Sequence, residues 1–195
     1  MEIQDVFGDL PTLTTARLCL RKLAPEDLES IFAYTSDPEV ARFTTWQPHA
    51  SIEVSRDFLT YVLGQYDRGE VAPWGIEHRH DAKVIGTCGF VGWSLRHARA
   101  EIGYAMSRAY WNRGLMTEAL RAVLDLGFRE MHLNRIQGCC VVENIGSARV
   151  MEKAGMQLEG IRWQYEAADT PGDYLDIQLH AVLRQDWVCC ETGNS

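Results

Sequence analysis

A chain of 195 residues can bury roughly 70% of the surface its unfolded form exposes, enough for a core without disulfide or metal staples. With 46% hydrophobic and 24% charged residues it has an ordinary globular composition, which excludes disorder over most of its length. The 27 acidic residues against 19 basic ones leave a net charge of -8, which opposes an extended nucleic-acid surface but not a local basic pocket.

In chain order, Leu18 to Arg21 reads as a first strand, and Ala24-Pro25-Glu26-Asp27 opens a helix running to about Thr35. Asp37-Pro38 punctuates it, Phe43 to Pro48 is irregular, and a second helix spans Ile52 to Tyr66, stopped by Arg68-Gly69. Pro73 to His78 and Lys83 to Trp93 are strands joined by a polar hairpin around His80 and Asp81, and Arg99 to Met106 alternates as another. From Gly114 to Glu130 the period becomes helical. Glu118, Arg121, Asp125 and Arg129 form one solvated stripe, with Ala119, Leu120, Val123, Leu124 and Phe128 opposite. Arg135 to Val142 reads as a buried strand, Ser147 to Ala154 as a short helix closed by Gly155, and Tyr174 to Leu183 as the last strand. With no repeat or linker-like run, one domain over residues 1–195 is expected, its core about 13–187. The pattern is α/β (α+β), a sheet covered by helices.

No stretch of about 18 apolar residues offers a membrane helix. Met1-Glu2-Ile3-Gln4-Asp5 lacks the basic and apolar regions of a signal peptide, so the cytoplasm is the expected compartment, with the six cysteines as reduced thiols. Cys139-Cys140 and Cys189-Cys190 are adjacent and, in a strand, point to opposite faces, a poor chelate. His78 and His80 could share a strand face, but Asp81 and Lys83 mark a hairpin tip, and no metal is expected.

The chemistry-bearing stretch is residues 100–120. On its strand, Ile102, Tyr104 and Met106 share one face, and Glu101, Gly103 and Ala105 the other. A carboxylate beside Gly and Ala leaves volume where a substrate could sit, although a half-exposed strand also carries such a residue with no function. Asn112-Arg113-Gly114 then precedes the amphipathic helix, whose N-terminus offers unpaired N–H groups and a positive dipole end to a phosphate. Gly114 allows close approach, Arg113 and Arg108 add charge, and Thr117 adds a hydroxyl. Neither a Walker loop nor a dinucleotide G-x-G-x-x-G is present, and a plain turn has the same outline.

This segment resembles motif A of the GCN5-related N-acetyltransferases, and more narrowly the branch of ribosomal-protein N-terminal acetyltransferases RimJ and RimL. Leu13-Thr14-Thr15-Ala16-Arg17-Leu18 and Ser36-Asp37-Pro38-Glu39-Val40 are similar to that branch's opening region. Asn144 to Met156 is similar to its motif B, and Leu158 to Arg162 with Gly172 to Asp176 to its tail. The resemblance implies a mixed, mostly antiparallel central sheet with a splay between the two middle strands and helices on both faces. The strand ending at Met106 would part from the one starting near Gly138, opening backbone groups to the pantetheine arm and acetyl carbonyl of acetyl-CoA. The implied acetyl-CoA contacts are Met106, Asn112, Arg113, Gly114, Leu115, Met116, Thr117 and Asn144. The family loop Q/R-x-x-G-x-G/A here has Trp111 in its first place and the larger Met116 in its last.

Acetyl transfer from a thioester to an amine needs a deprotonated amine, a stabilised oxyanion and a departing thiolate. An α-amine with pKa about 8 costs about 1 kcal/mol to deprotonate at pH 7, and a lysine-like amine roughly 4–5 kcal/mol. A thiol of pKa about 8.5 leaves readily, so base and oxyanion donors outrank the acid. Glu101 is the expected base, with Glu143 as the second carboxylate, otherwise a solvated strand end. The N–H near Met106 is the expected oxyanion donor. Ser147 matches the branch's Asn-x-x-Ser as acid and Asn144 as partner of the pantetheine amide, yet Asn-x-x-Ser also reads as a helix cap. Phe43, Trp46 and His49 either line the acceptor groove or pack as a lid.

The implied partner is an amine: a protein N-terminus, or a polyamine, aminoglycoside or amino-acid-like amine. A non-catalytic acyl-CoA-binding module is the rival from another class, and a DNA-binding regulator is opposed by the acidic balance. An apolar edge near Trp93 or the Trp187-Val188-Cys189-Cys190 tail would support a homodimer.

Overall fold

The computed structural model describes residues 7–168 and 172–187; Val188, Cys189 and Cys190 lie outside them. Its strands are β1 (Leu13–Thr14), β2 (Leu18–Arg21), β3 (Trp74–His78), β4 (Lys83–Ser94), β5 (Arg99–Met106), β6 (Arg135–Val141), β7 (Gln157–Ala167) and β8 (Tyr174–Leu183). Its helices are α1 (Leu28–Thr35), α2 (Pro38–Ala41), α3 (Ile52–Arg68), α4 (Leu115–Arg129) and α5 (Ile145–Ala154). The strands form one sheet in the order β1-β2-β3-β4-β5-β6-β8-β7, antiparallel throughout except for the parallel β5–β6 pair. Helices cover both sides, as the resemblance implied. The pairs α1–α3 and α4–α5 each pack together, with α1 on β4 and α4 on β2 and β4.

Apolar periodicity explains most of this. In α4, Ala119, Leu120, Val123, Leu124 and Phe128 are each 0% exposed. A helix of this length is marginal alone, so its burial holds it, each large apolar side chain contributing about 1.5–3 kcal/mol. Two elements escaped the pattern. The four-residue α2 starts where Asp37 accepts a hydrogen bond from Glu39 N–H (3.0 Å), a cap read only as a break. β7 was not expected as a strand, although Ile161, Trp163 and Tyr165 alternate with polar residues along it; almost every residue of it is exposed, so its apolar row does not face the core. Both tryptophans named for a dimer edge pack internally. Trp93 lies edge-on to Phe7 and Phe90, and Trp187 lies against Phe128.

An opening in the sheet arises where β5 meets β6. Their parallel pairing covers only Arg99↔Arg135 through Ile102↔Gly138. At the last pair, a side chain at Gly138 would come within 2.7 Å of Ile102 Cδ1 and 2.9 Å of Met151 Sδ. Gly138 thus lets α5 and β5 close on β6 at the hinge of the gap. Beyond it, Gly103 to Met106 remain paired with β4, while Cys139 to Val141 pair with β8. The strands part, and the expected splay is present.

Candidate active site

The gap is lined by backbone on its β5 side. Ala98 O accepts from Asn134 N–H (2.7 Å) towards β6, and Ser107 N–H donates to Ile85 O (2.8 Å) towards β4. With the two-residue period of a strand, the backbone groups of Tyr104 and Met106 therefore face the gap. Trp111 Nε1 donates to Met106 O (2.7 Å), tying the following turn to the end of β5, while Met106 N–H points into the gap. That is the position expected of the oxyanion donor.

Side chains divide between the two faces. Glu101 is half-buried on one face, and Gln137 Nε2 donates to its Oε2 (2.9 Å). The orientation of the Gln137 amide is fixed by its neighbour, because Arg135 Nε donates to Gln137 Oε1 (3.3 Å) and has no acceptor to offer. Arg135 is in turn anchored by both oxygens of Glu159. The open volume is not where alternation placed it, because Val91 of β4 occupies the space over Gly103. Instead a pocket of about 130 Å³ opens beside Glu101, lined by Gly92, Trp93, Ser94, Arg99, Ala100 and Gln137. Glu143 is exposed in the turn after β6.

The opposite face carries hydroxyls. Asn144 caps α5, its Oδ1 accepting from Ser147 N–H (3.0 Å), so the cap reading of Asn-x-x-Ser holds for Asn144. The Ser147 hydroxyl serves another contact, lying 2.8 Å from the Tyr104 hydroxyl, which also reaches Ser147 O (3.1 Å). Burial pushes the Tyr104 phenol far above its ordinary value, so it stays protonated and acts as a donor. Behind them lie Cys140, Gln178 and a fully buried His180, whose burial lowers its pKa and keeps it neutral. Burial likewise raises the Cys140 thiol, and Cys139, facing Glu101's side, rises to about 11. Neither cysteine is a ready nucleophile.

At the end of β5, Asn112 (φ 60°) and Gly114 (φ 73°) both adopt the left-handed conformation, natural for Gly and tolerated by Asn. No side chain caps α4 at Gly114, and the first turn of the helix closes with Glu118 N–H to Gly114 O (3.1 Å). The N–H groups of Leu115, Met116 and Thr117 therefore project without intrahelical partners from the N-terminal end of α4. The side chains of Leu115 and Met116 are buried, turned away from it, so the larger Met116 does not obstruct its backbone. Arg113 lies over the Tyr110 ring (5.4 Å), and Arg108 is paired with Asp37 (3.4 Å). Glu118 departs from the solvated stripe. It accepts from Thr15 Oγ1 (2.6 Å), Arg17 N–H (2.9 Å) and Arg17 Nε (2.7 Å). Burial alone would raise its carboxyl, but these bonds outweigh it and hold it below the usual range.

Tyr104, Gln137 and Arg17 were missed by sequence reasoning as parts of the site. Each is joined to it by a residue far away in the chain, and local periodicity carries no trace of that. Among the described residues no group of His, Cys, Asp or Glu is arranged to hold a metal, and no helix is long and apolar enough to cross a membrane.

A family model for the acetyltransferase (GNAT) domain matches residues 17–157. The chain is 33% identical to the uncharacterized N-acetyltransferase p20 of Bacillus licheniformis, over 91% of this chain and 99% of that one. Among solved structures it is similar to a GNAT-family acetyltransferase from Bacillus anthracis, with a TM-score of 0.79 and 30% identity over 90% of this chain and 99% of that one. The fold also matches RimL, a ribosomal α-N-protein acetyltransferase in complex with coenzyme A, at a TM-score of 0.77 and 21% identity, covering 89% and 98% of the two chains. A parallel pair that parts over a backbone-lined gap, a helix opening uncapped beside it, and these matches agree: the chain belongs to the GNAT acetyltransferase family.

Proposed function

We propose that this N-acetyltransferase moves acetyl from acetyl-CoA to a protein N-terminal α-amine, in the manner of the RimJ and RimL branch, by direct attack with Glu101 as general base. The observation that carries the reading is the gap itself, with a carboxylate on one face of the sheet and paired hydroxyls on the other. Such a division lets an amine approach from the Glu101 side and the thioester from the Ser147 side.

The amine nitrogen attacks the acetyl carbonyl carbon, and Glu101 accepts its proton, directly or through one water. Gln137 holds the carboxylate by its Oε2, leaving Oε1 for that proton. Charge growing on the carbonyl oxygen is met by Met106 N–H. When the carbon–sulfur bond breaks, the electron pair leaves on sulfur, and the Ser147 hydroxyl donates a proton to the thiolate and regains one from water, its oxygen held meanwhile by a hydrogen bond from Tyr104. The Asn144 amide, its oxygen engaged in the cap, retains its NH2 for the pantetheine arm. The diphosphate is received by the N–H groups of Gly114, Leu115, Met116 and Thr117, with Asn112 and Arg113 shaping the turn.

The test is thiol release from acetyl-CoA against peptides with Ser, Ala and Met N-termini, spermidine, an aminoglycoside and an N-blocked lysine peptide. Turnover with the free-N-terminus peptides alone supports the proposal. Turnover confined to spermidine or the aminoglycoside moves the protein to small-amine acetylation, and silence with coenzyme A still bound means an acyl-CoA-binding module.

A further inference from the structure

We propose that Arg17 is a positioning residue for the diphosphate of acetyl-CoA, acting by fixing one peptide plane in the loop before α4. The inference rests on the reading that this loop receives the diphosphate.

Arg17 lies between β1 and β2, about a hundred residues upstream of the loop, yet its guanidinium spans it. Nε donates to Glu118 Oε2 at 2.7 Å, and Nη1 donates to Arg113 O at 2.9 Å. Glu118 is held a second time by Arg17's own N–H and by Thr15, so the base of this bracket is anchored by backbone as well as side chain. The carbonyl of Arg113 and the N–H of Gly114 belong to the same trans peptide and point in opposite directions. Engaging that carbonyl on the Arg17 side therefore turns Gly114 N–H towards the opening, where Leu115, Met116 and Thr117 also present theirs. The left-handed Gly114 has few steric constraints of its own, so an external hold on its peptide has most to contribute here.

The bracket also settles an electrostatic conflict. Glu118 sits in the first turn of α4, where its charge favours the helix dipole but would repel an incoming phosphate. Pairing with Arg17 cancels that repulsion and leaves Nη2, without a hydrogen-bond partner among the described residues, 3.7 Å from where a Gly114 Cβ would stand. A lysine could pair with Glu118 but has one nitrogen, and cannot hold Glu118 and Arg113 O in a fixed fork.

The experiment compares acetyl-CoA with S-acetylpantetheine, the same thioester without the diphosphate and nucleoside. In Arg17→Ala the KM for acetyl-CoA should rise about tenfold, and the preference for acetyl-CoA over S-acetylpantetheine should fall by the same factor. Arg17→Lys, which keeps the ion pair with Glu118 and secures folding, should show a loss close to that of Arg17→Ala. An unchanged preference in both variants, or full rescue by lysine, overturns the role assigned to Arg17. Gly114→Val separates the two levels of the claim. If it leaves the same preference untouched, the diphosphate binds elsewhere and the reading of the loop fails, whatever Arg17 does.

Discussion

The two ends of the candidate site are constructed differently. At the α4 loop the groups proposed to face the ligand are backbone N–H, in a turn with two left-handed residues and a bracket from Arg17 to Glu118 and Arg113. At the β5–β6 gap the proposed reactive groups are one backbone donor and side chains on opposite faces, Glu101 with Gln137 and Ser147 with Tyr104. The contrast follows from what each end must do. A diphosphate carries permanent charge and needs fixed dipoles, whereas proton transfer needs groups that change state during the reaction. Substitutions at the loop should therefore act on KM for acetyl-CoA, and substitutions at the gap on kcat.

The largest effect should come from Glu101→Gln, a fall of about a hundredfold in kcat/KM at pH 7 with the KM for acetyl-CoA little changed. A rise in that KM with kcat preserved would break the division between the two ends. Next comes Gly114→Val, which forces a β-branched residue to φ 73° at a strain of about 1–3 kcal/mol. Steady-state kinetics should show the KM for acetyl-CoA raised about tenfold or more. Ser147→Ala and Tyr104→Phe should each lower kcat by about three- to tenfold, modest because a thiol leaves readily. Their double variant should be little worse than either alone, since the two hydroxyls act in series; additive losses would separate them.

The smallest effect on kcat, but a clear one on stability, belongs to Glu118→Gln. Because the native carboxyl is held below its ordinary value, its stabilisation is complete above the unfolded pKa of about 4.3 and is lost as pH falls through the native one. Denaturant melts should find the variant about 1–2 kcal/mol less stable at pH 7, with the difference shrinking as pH drops towards 3.

Sequence periodicity and resemblance brought much of this into view, and the exceptions have physical causes. β5 and β8 have the limits their alternation indicates, and α4 buries the face its period selects. The placement of Glu118 on the solvated stripe was wrong because helical period knows only the helix, while Thr15 and Arg17 arrive from another element. β7 went unread even though Ile161, Trp163 and Tyr165 alternate with polar residues along it, and it lies at the edge of the sheet with almost every residue exposed. Open volume over Gly103 was a fair inference from a missing side chain, but a bulge in β4 brings Val91 there. The motif residues Gly114, Asn144 and Ser147 can be named from the sequence, and the residues that contact them from other elements cannot, since those contacts are tertiary.

The role of Glu101 as base is tested most directly by the pH profile of kcat/KM between pH 6 and 8 for the wild-type protein and Glu101→Gln, with a peptide bearing a free N-terminus as acceptor. With Glu101 as the base, the variant is depressed throughout, with the deficit greatest at pH 6, where the α-amine is most protonated and most in need of a base. A variant with full activity across that range would contradict the role of Glu101, and Glu143→Gln would then be the first place to look for the base.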